Sequence, residues 1–188
     1  MAHAILSPSS ASRWLVCTPS ARWEQQFPDS AGAAAAEGTL AHALAEVKLR
    51  NFLKLMPAPR VKTELKKLRA DALYNTDMEG HTEDYFAFVL DRLADLEDPT
   101  AFVEEKIDLT DYVPEGFGTV DFAAVGHGVL EIIDLKYGKG VEVNAHENKQ
   151  MMLYGLGALR HFMLLYPIET VRMTIYQPRL ENYSSYEM

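Results

Sequence analysis

The chain has 188 residues, enough for one domain with a real core, and 48% of them are apolar, which excludes a disordered chain. With 27 acidic residues against 18 basic ones the formal charge is -9, which disfavours passive electrostatic adhesion to nucleic acid but not carboxylates gathered round a metal ion. The single cysteine, Cys17, excludes an internal disulfide and any four-thiolate zinc or iron–sulfur site. No apolar run reaches the roughly 18 residues of a membrane span, and "MAHAILSPSSASRW" lacks the basic-then-apolar order of a signal peptide. A cytoplasmic protein with no membrane partner is expected.

In chain order, "SPSSASRWLVCTPSARWEQQF" predicts a serine-capped short helix beginning near Ser9 or Ser10, a break at "CTPS" and a second short helical segment. "PDSAGAAAAEG" reads as a small-residue connector. "TLAHALAEVKLRNFLKLM" predicts a helix capped by Thr39, with Leu40, Leu44 and Val47 on one stripe, stopped by "PAPR". "RVKTELKKLRADAL" predicts a basic helix whose Lys62, Lys66, Lys67 and Arg69 read as a solvated face. "HTEDYFAFVLDRLADLED" is an amphipathic helix that ends before Pro99.

The period then changes to two. "AFVEEKIDL" predicts a strand with Val103, Glu105, Ile107 and Leu109 on one side and Glu104, Lys106 and Asp108 on the other. "GTVDFAAV" and "GVLEIIDLKY" form a hairpin across "GHG", read as longer than a two-residue turn. "NAHENKQMMLYGLGALRHFMLLY" returns to helical period. Its Gly155 and Gly157 lower helix propensity by about 1 kcal/mol each and so mark close packing on a sheet. "ETVRMTIYQPRL" is a further strand. The whole reads as one α/β domain over 1–188: a helical part over 1–98, then three antiparallel strands, a crossover helix and a strand over 99–188.

Two of these strands carry a carboxylate where burial makes a charge costly, Asp121 in "GTVDF" and Asp134 at the end of "LEIID". Lys136 follows Asp134 at i+2, on the same side of the strand and roughly 6.5–7 Å along it. Two strand-end carboxylates, one salt-bridged to Lys136, would account for these residues alone. Yet Asp121 can reach the same side through the hairpin, and Glu104 can add a third carboxylate from the first strand, its neighbour Glu105 facing the other way. Three hard oxygen ligands suit magnesium or manganese, not zinc. A lysine beside them can orient or deprotonate an attacking water, or steady developing phosphate charge. The chemistry that needs this set is metal-assisted phosphodiester hydrolysis. Gln150 and Tyr154, at i and i+4, share one helix face. Lys139, between two glycines, reads equally as a phosphate contact or a solvated turn.

"GTVD" and "IDLKYGKG" together resemble the PD-(D/E)XK nuclease superfamily, with Asp121 at the first acidic position and Asp134-Leu-Lys136 as the D-x-K. The ordered series "SPSSASRWLVCTPS", "GTLAH", "FVE", "GTVD", "IDLKYGKG" and "QMMLY" is similar to the RecB-like branch, which includes the CRISPR spacer-acquisition nucleases, and above all to phage-borne members. The resemblance covers Ser7 to about Pro178. It implies an α/β fold with a restriction-endonuclease-like core, a mixed sheet flanked by helices and an N-terminal helical segment. It implies a metal-dependent DNA nuclease of exonuclease type, working on single-stranded DNA or duplex ends in a bacterial host cell, with phage recombination proteins as partners. Mg2+ or Mn2+ would be held by His42, Glu104, Asp121 and Asp134. Lys136, Gln150 and Tyr154 would complete the catalytic set with the two aspartates.

For His42 a surface ion pair with Glu46, at i+4, competes with the ligand role. One cysteine cannot hold the iron–sulfur cluster of some members, and relatives of this type run past the position of Met188, so a C-terminally shortened form is expected. The rival reading is a catalytically inactive nuclease fold that binds DNA or a partner protein. The charge of -9 and the short C-terminus favour the rival. The presence of Asp121, Asp134 and Lys136 together favours the enzyme.

Overall fold

Pro99 divides the chain into a helical part and a sheet part, as the change of period predicts. The computed structural model describes residues 4–27, 32–138 and 140–188. A 3-10 turn, Pro8–Ser10, leads into α1 (Ala11–Trp14) and α2 (Ser20–Glu24), followed by α3 (Ala33–Phe52), α4 (Ala58–Arg69) and α5 (Thr76–Ala94). Then come β1 (Thr100–Asp108), β2 (Phe117–Gly126), β3 (Val129–Leu135), α6 (Lys149–Phe162), β4 (Thr170–Gln177) and β5 (Asn182–Glu187). The strands lie in the order β1-β2-β3-β4-β5, antiparallel except for β3 and β4. That one parallel pair needs a crossover, which α6 supplies. The expected mixed α/β architecture, a sheet flanked by helices behind a helical N-terminal segment, is the one observed.

Each face of the sheet buries a different helix set. Met151, Tyr154, Ala158 and Phe162 of α6 pack on Ile107, Val120, Ile132, Met173 and Ile175. Ala45 and Leu49 of α3 with Tyr85 and Val89 of α5 pack on Val103, Phe122, Ile133 and Leu135. The glycines of α6 do what their spacing predicts. A Cβ on Gly157 would lie 2.4 Å from Ile107 Cγ2 and 2.6 Å from Leu109 Cδ2, so only glycine lets the helix come this close to β1. The small N-terminal helices form their own cluster, Ala11, Trp14, Ala21 and Val113, which rests on Leu153 of α6.

Several elements differ from the sequence reading. Helix α3 starts at Ala33, with extended Gly32 as its N-cap, so much of the supposed connector is its first turns; alanine is the strongest helix former. Thr39 is not the cap but lies inside the helix, its hydroxyl donating to Ala35 O at 3.0 Å. The rest of that connector, residues 28–31, lies outside the described residues, as does Lys139. The "PAPR" segment opens α4, with Pro57 as N-cap, because proline suits the first turn. The β2–β3 hairpin is a two-residue turn: Gly126 pairs with Val129, and His127 (φ 43°) and Gly128 (φ 81°) both adopt the left-handed conformation that a type I′ turn requires. Strand β5 is absent from the sequence reading. A 3-10 turn over Pro178–Leu180 and left-handed Glu181 (φ 48°) reverse the chain, so that "NYSSYE" pairs with β4.

The strict alternation expected for β1 breaks at Glu104. Val103 pairs with Phe122 and Glu105 with Val120, while Glu104 (φ 52°) and Asp121 are skipped by the ladder. Register is unchanged, yet the faces exchange. Val103 and Phe122 pack toward α3 and α5, whereas Ile107 and Val120 pack toward α6. Distortions that re-aim one side chain in this way belong to sheet edges and sites.

Helix α3 is held in place by a charged knot at the start of α5. Glu79 accepts from Arg69 Nε (3.0 Å) and Nη2 (2.9 Å) of α4 and from the Tyr74 hydroxyl (3.0 Å), and lies 3.1 Å from Lys48 Nζ of α3. The hydrogen bonds from Arg69, ahead of the pull from Lys48, bring the Glu79 carboxyl down to about 2 from its ordinary 4.5. A depressed folded pKa gives stability that is present above the ordinary value and lost as pH falls through the folded one. Glu79→Gln should therefore cost about 1 kcal/mol at neutral pH, because these pairs are partly solvated. It should also flatten the loss of stability below about pH 4.5, as urea denaturation across that range would show.

Candidate metal centre

The site forms where the sheet opens. Strands β2 and β3 pair from Gly126–Val129 to Phe122–Ile133 and then part. Beyond that point Leu135 N–H has no β2 carbonyl, and it donates instead to Asp121 Oδ2 at 2.7 Å. A side chain thus takes over a backbone hydrogen bond, which keeps a buried donor satisfied. It also fixes the Asp121 carboxylate at the mouth of the gap.

On the α3 side His42 Nδ1 lies 3.2 Å from Asp121 Oδ1. Glu104 completes the group: each of His42, Glu104 and Asp121 offers a ligand atom, all within 4.8 Å of one another. The cavity they line measures about 10 Å³, room for roughly one water-sized body. Arg50 of α3 supports the distorted strand. It donates to Glu46 Oε1 at 2.6 Å and, from Nη2, to Val103 O at 3.0 Å, next to left-handed Glu104. Glu46 is therefore engaged by Arg50, and the contact of His42 is Asp121, not Glu46.

On the α6 side a second group gathers. The Asn148 side chain caps α6, accepting from the backbone N–H of Gln150 and of Met151 at 3.0 and 3.2 Å, and so presents Gln150 to the end of β3. Gln150 Nε2 donates to Asp134 Oδ1 at 3.0 Å and lies 3.3 Å from the Tyr154 hydroxyl, while Gln150 Oε1 accepts from Lys136 Nζ at 2.9 Å. Lys136 Nζ is also 2.8 Å from Asp134 Oδ2. That ion pair is the contact of buried Asp134 Oδ2, which has no other polar partner among the described residues.

The sequence reading put Glu104, Asp121, Asp134 and Lys136 on one side of the sheet. The structure divides them. Asp134 and Lys136 meet α6, Asp121 and Glu104 meet α3, and the gap between β2 and β3 is where the two groups approach. Asp134 accordingly stands outside the three-residue cluster and is tied to Lys136 and Gln150. Glu104, not Glu105, is the glutamate at the site; Glu105 faces His161 at 3.8 Å. Glu131 lies buried on the face opposite Asp134, with Arg92, Arg172 and Thr174 as partners, and is structural. Two site neighbours escape sequence reading. Arg50 looks like any exposed helix cation, and Tyr85 falls on the apolar stripe of α5 with Met78 and Val89.

Crowded carboxylates away from water favour any cation, a proton included. Burial pushes the His42 imidazole down, but the charge and hydrogen bond of Asp121, with Asp134 and Glu104 behind them, lift it to about 9. Burial and the charge of Asp121 raise the Glu104 carboxyl to about 7. Asp121 opposes its own burial through His42, Leu135 N–H and Lys136 and ends below its ordinary value. Asp134 is raised by burial. Lys136, although burial works against its charge, is raised by Asp134 and Asp121 and stays an ammonium. One imidazole nitrogen and two carboxylates, two of the three groups (His42 and Glu104) displaced toward their protonated forms, make a donor set that fits a divalent ion such as Mg2+ or Mn2+.

The protein is a mixed α/β fold in which His42, Glu104 and Asp121, a group able to hold a metal ion, gather at the opened end of the sheet. By sequence the chain belongs to a family described as a protein of unknown function (DUF2800), which it matches over residues 3–188. No helix among the described residues is long and apolar enough to cross a membrane.

Among the described residues, the hydrogen bond that links the Tyr154 hydroxyl to the site is the one with Gln150. Tyr154→Phe should leave Mn2+ affinity within about twofold of wild type, because the hydroxyl is no part of the donor set. Manganese titration followed by calorimetry or electron paramagnetic resonance checks this, and a loss of tenfold or more would make Tyr154 a ligand or an outer partner of one.

Proposed function

We propose that this protein is a Mg2+- or Mn2+-dependent deoxyribonuclease that hydrolyses phosphodiester bonds in DNA. The observation that carries the reading is that Asp121, which belongs to the His42–Glu104–Asp121 donor set, accepts from the backbone N–H of Leu135, the residue between Asp134 and Lys136, whose ammonium is held by Asp134 and Gln150. The ordered motif resemblance along the chain supports DNA as substrate, and phage recombination or DNA processing as the setting.

His42, Glu104 and Asp121 would hold the ion, and Asp134 Oδ2 offers a further oxygen beside Lys136. A divalent ion bound there would polarise a phosphoryl oxygen and acidify a water molecule. Of the roles open to Lys136, charge stabilisation is the one its surroundings support. Paired with Asp134 it is an ammonium, so it can offset negative charge developing on the phosphate. Asp134 and Gln150 fix the direction of that charge. Gln150 and Tyr154 bring an amide and a phenol, groups that suit hydrogen bonds to phosphate or sugar.

A second reading, a nuclease fold that only binds DNA or a partner protein, is favoured by the net charge of -9. Incubation with linear single- and double-stranded DNA separates the two. Cleavage with Mg2+ or Mn2+ that a chelator abolishes is the expected result, and binding without cleavage under every metal condition would establish the second reading. Asp121→Ala, Asp134→Ala and Lys136→Ala should each reduce cleavage by roughly a hundredfold or more with the circular dichroism spectrum retained. Near wild-type turnover in any of the three would move the site elsewhere.

The imidazole in the donor set makes a further prediction. Nitrogen favours the softer ion, so wild type should cleave faster with Mn2+ than with Mg2+. His42→Ala should narrow that gap more than it lowers the Mg2+ rate. Parallel rate measurements with the two ions decide it, an unchanged ratio placing His42 outside the metal shell.

A further inference from the structure

Tyr85 of α5 is 1% exposed and lies in the core between α3 and the sheet, its ring 5.8 Å from that of Tyr176. A phenylalanine would meet every packing need there. The hydroxyl is what the fold leaves unexplained, because it is buried and has no hydrogen-bond partner among the described residues. Buried phenols nearly always find one, and an orphaned buried donor marks either strain or an absent partner. Tyr85 lines the same small cavity as His42, Glu46, Glu104 and Asp121. Burial first, then the nearby charges of Asp121, Asp134 and Glu104, keep the phenol protonated and therefore a donor. Across that cavity Glu104 is the complementary case. Asp121 accepts from Leu135 N–H and sits against His42, but no hydrogen bond reaches the Glu104 carboxylate among the described residues. A donor without an acceptor and an acceptor without a donor thus border a space sized for one ion or water.

We infer that Tyr85 is a positioning residue of the metal centre: with a divalent ion in the cavity, its O–H donates to the Glu104 oxygen that the ion leaves free. The inference rests on the metal reading given above. Carboxylates that bind metals are themselves held by hydrogen bonds, and those outer partners set ligand orientation and affinity. The left-handed backbone of Glu104 gives its side chain no help from a regular ladder, so an external hold on the carboxylate has a physical purpose.

Tyr85→Phe removes one oxygen and keeps the ring. Three quantities are measured on wild type and variant: the thermal midpoint without metal, the Mn2+ dissociation constant, and the rise in midpoint at one fixed Mn2+ concentration. Without metal the variant should melt at or above the wild-type temperature, because it deletes an unsatisfied buried hydroxyl. Its Mn2+ affinity should fall roughly 10- to 100-fold, and the Mn2+-induced rise in midpoint should shrink accordingly. Wild-type Mn2+ affinity in the variant overturns the inference and leaves the metal reading standing. So does a lower metal-free midpoint with unchanged affinity, which would make the hydroxyl merely structural. If wild type itself binds neither Mn2+ nor Mg2+, the metal reading falls and this inference falls with it.

Discussion

The hydrogen bond from Leu135 N–H to Asp121 Oδ2 is the contact on which the site depends. Two strands that stay paired leave no room between them, and two that separate leave buried backbone groups unsatisfied. Asp121 resolves the conflict by placing a carboxylate where a carbonyl of β2 would have been. The same exchange commits one of its oxygens and leaves the other facing His42. On its other edge β2 is irregular at the same residue, since the β1 ladder skips Glu104 and Asp121 together. Both irregularities of the sheet therefore coincide at one aspartate.

That coincidence explains why the two helical layers meet at the site instead of being kept apart by the sheet. Where the sheet is continuous, α6 packs on one face and α3 with α5 on the other. At the gap, His42 reaches in from α3 and Gln150 from α6. Each is braced from outside. Glu79 ties α3 to α4 and α5, Arg50 ties α3 to β1, and Gly157 lets α6 lie almost against β1. Precise placement of the polar groups is thus inherited from apolar packing and from small residues some distance away.

The acidity of the chain takes on a local meaning. Glu104 and His42 are both displaced toward their protonated forms, because the acidic groups gathered round the cavity favour a cation there. Lys136 is the opposite case, a half-buried cation stabilised by the aspartates around it. A net charge of -9 describes the molecule as a whole and says little about a gap in which one ammonium is held in place by Asp134 and Gln150.

Much of this architecture is legible in the sequence, because it rests on period and on residue type. The change of period near Pro99, the crossover helix and the close approach marked by Gly155 and Gly157 all follow from local rules. Gln150 and Tyr154 share a helix face, and Asp134 and Lys136 a strand face, for the same reason. What local rules cannot express is a ladder that fails. The reversal of faces at Glu104 violates the alternation used to place it, and the division of Asp121 from Asp134 depends on strand pairing that neither residue encodes alone. The start of α3 at Ala33 and the edge strand β5 were likewise obscured, one by an alanine run that resembles a connector, the other by a polar segment that becomes a strand only beside β4. Tyr85 marks the limit most clearly. Its spacing on α5 is that of a core residue, which it is, and only the assembled cavity leaves its hydroxyl among carboxylates without a partner.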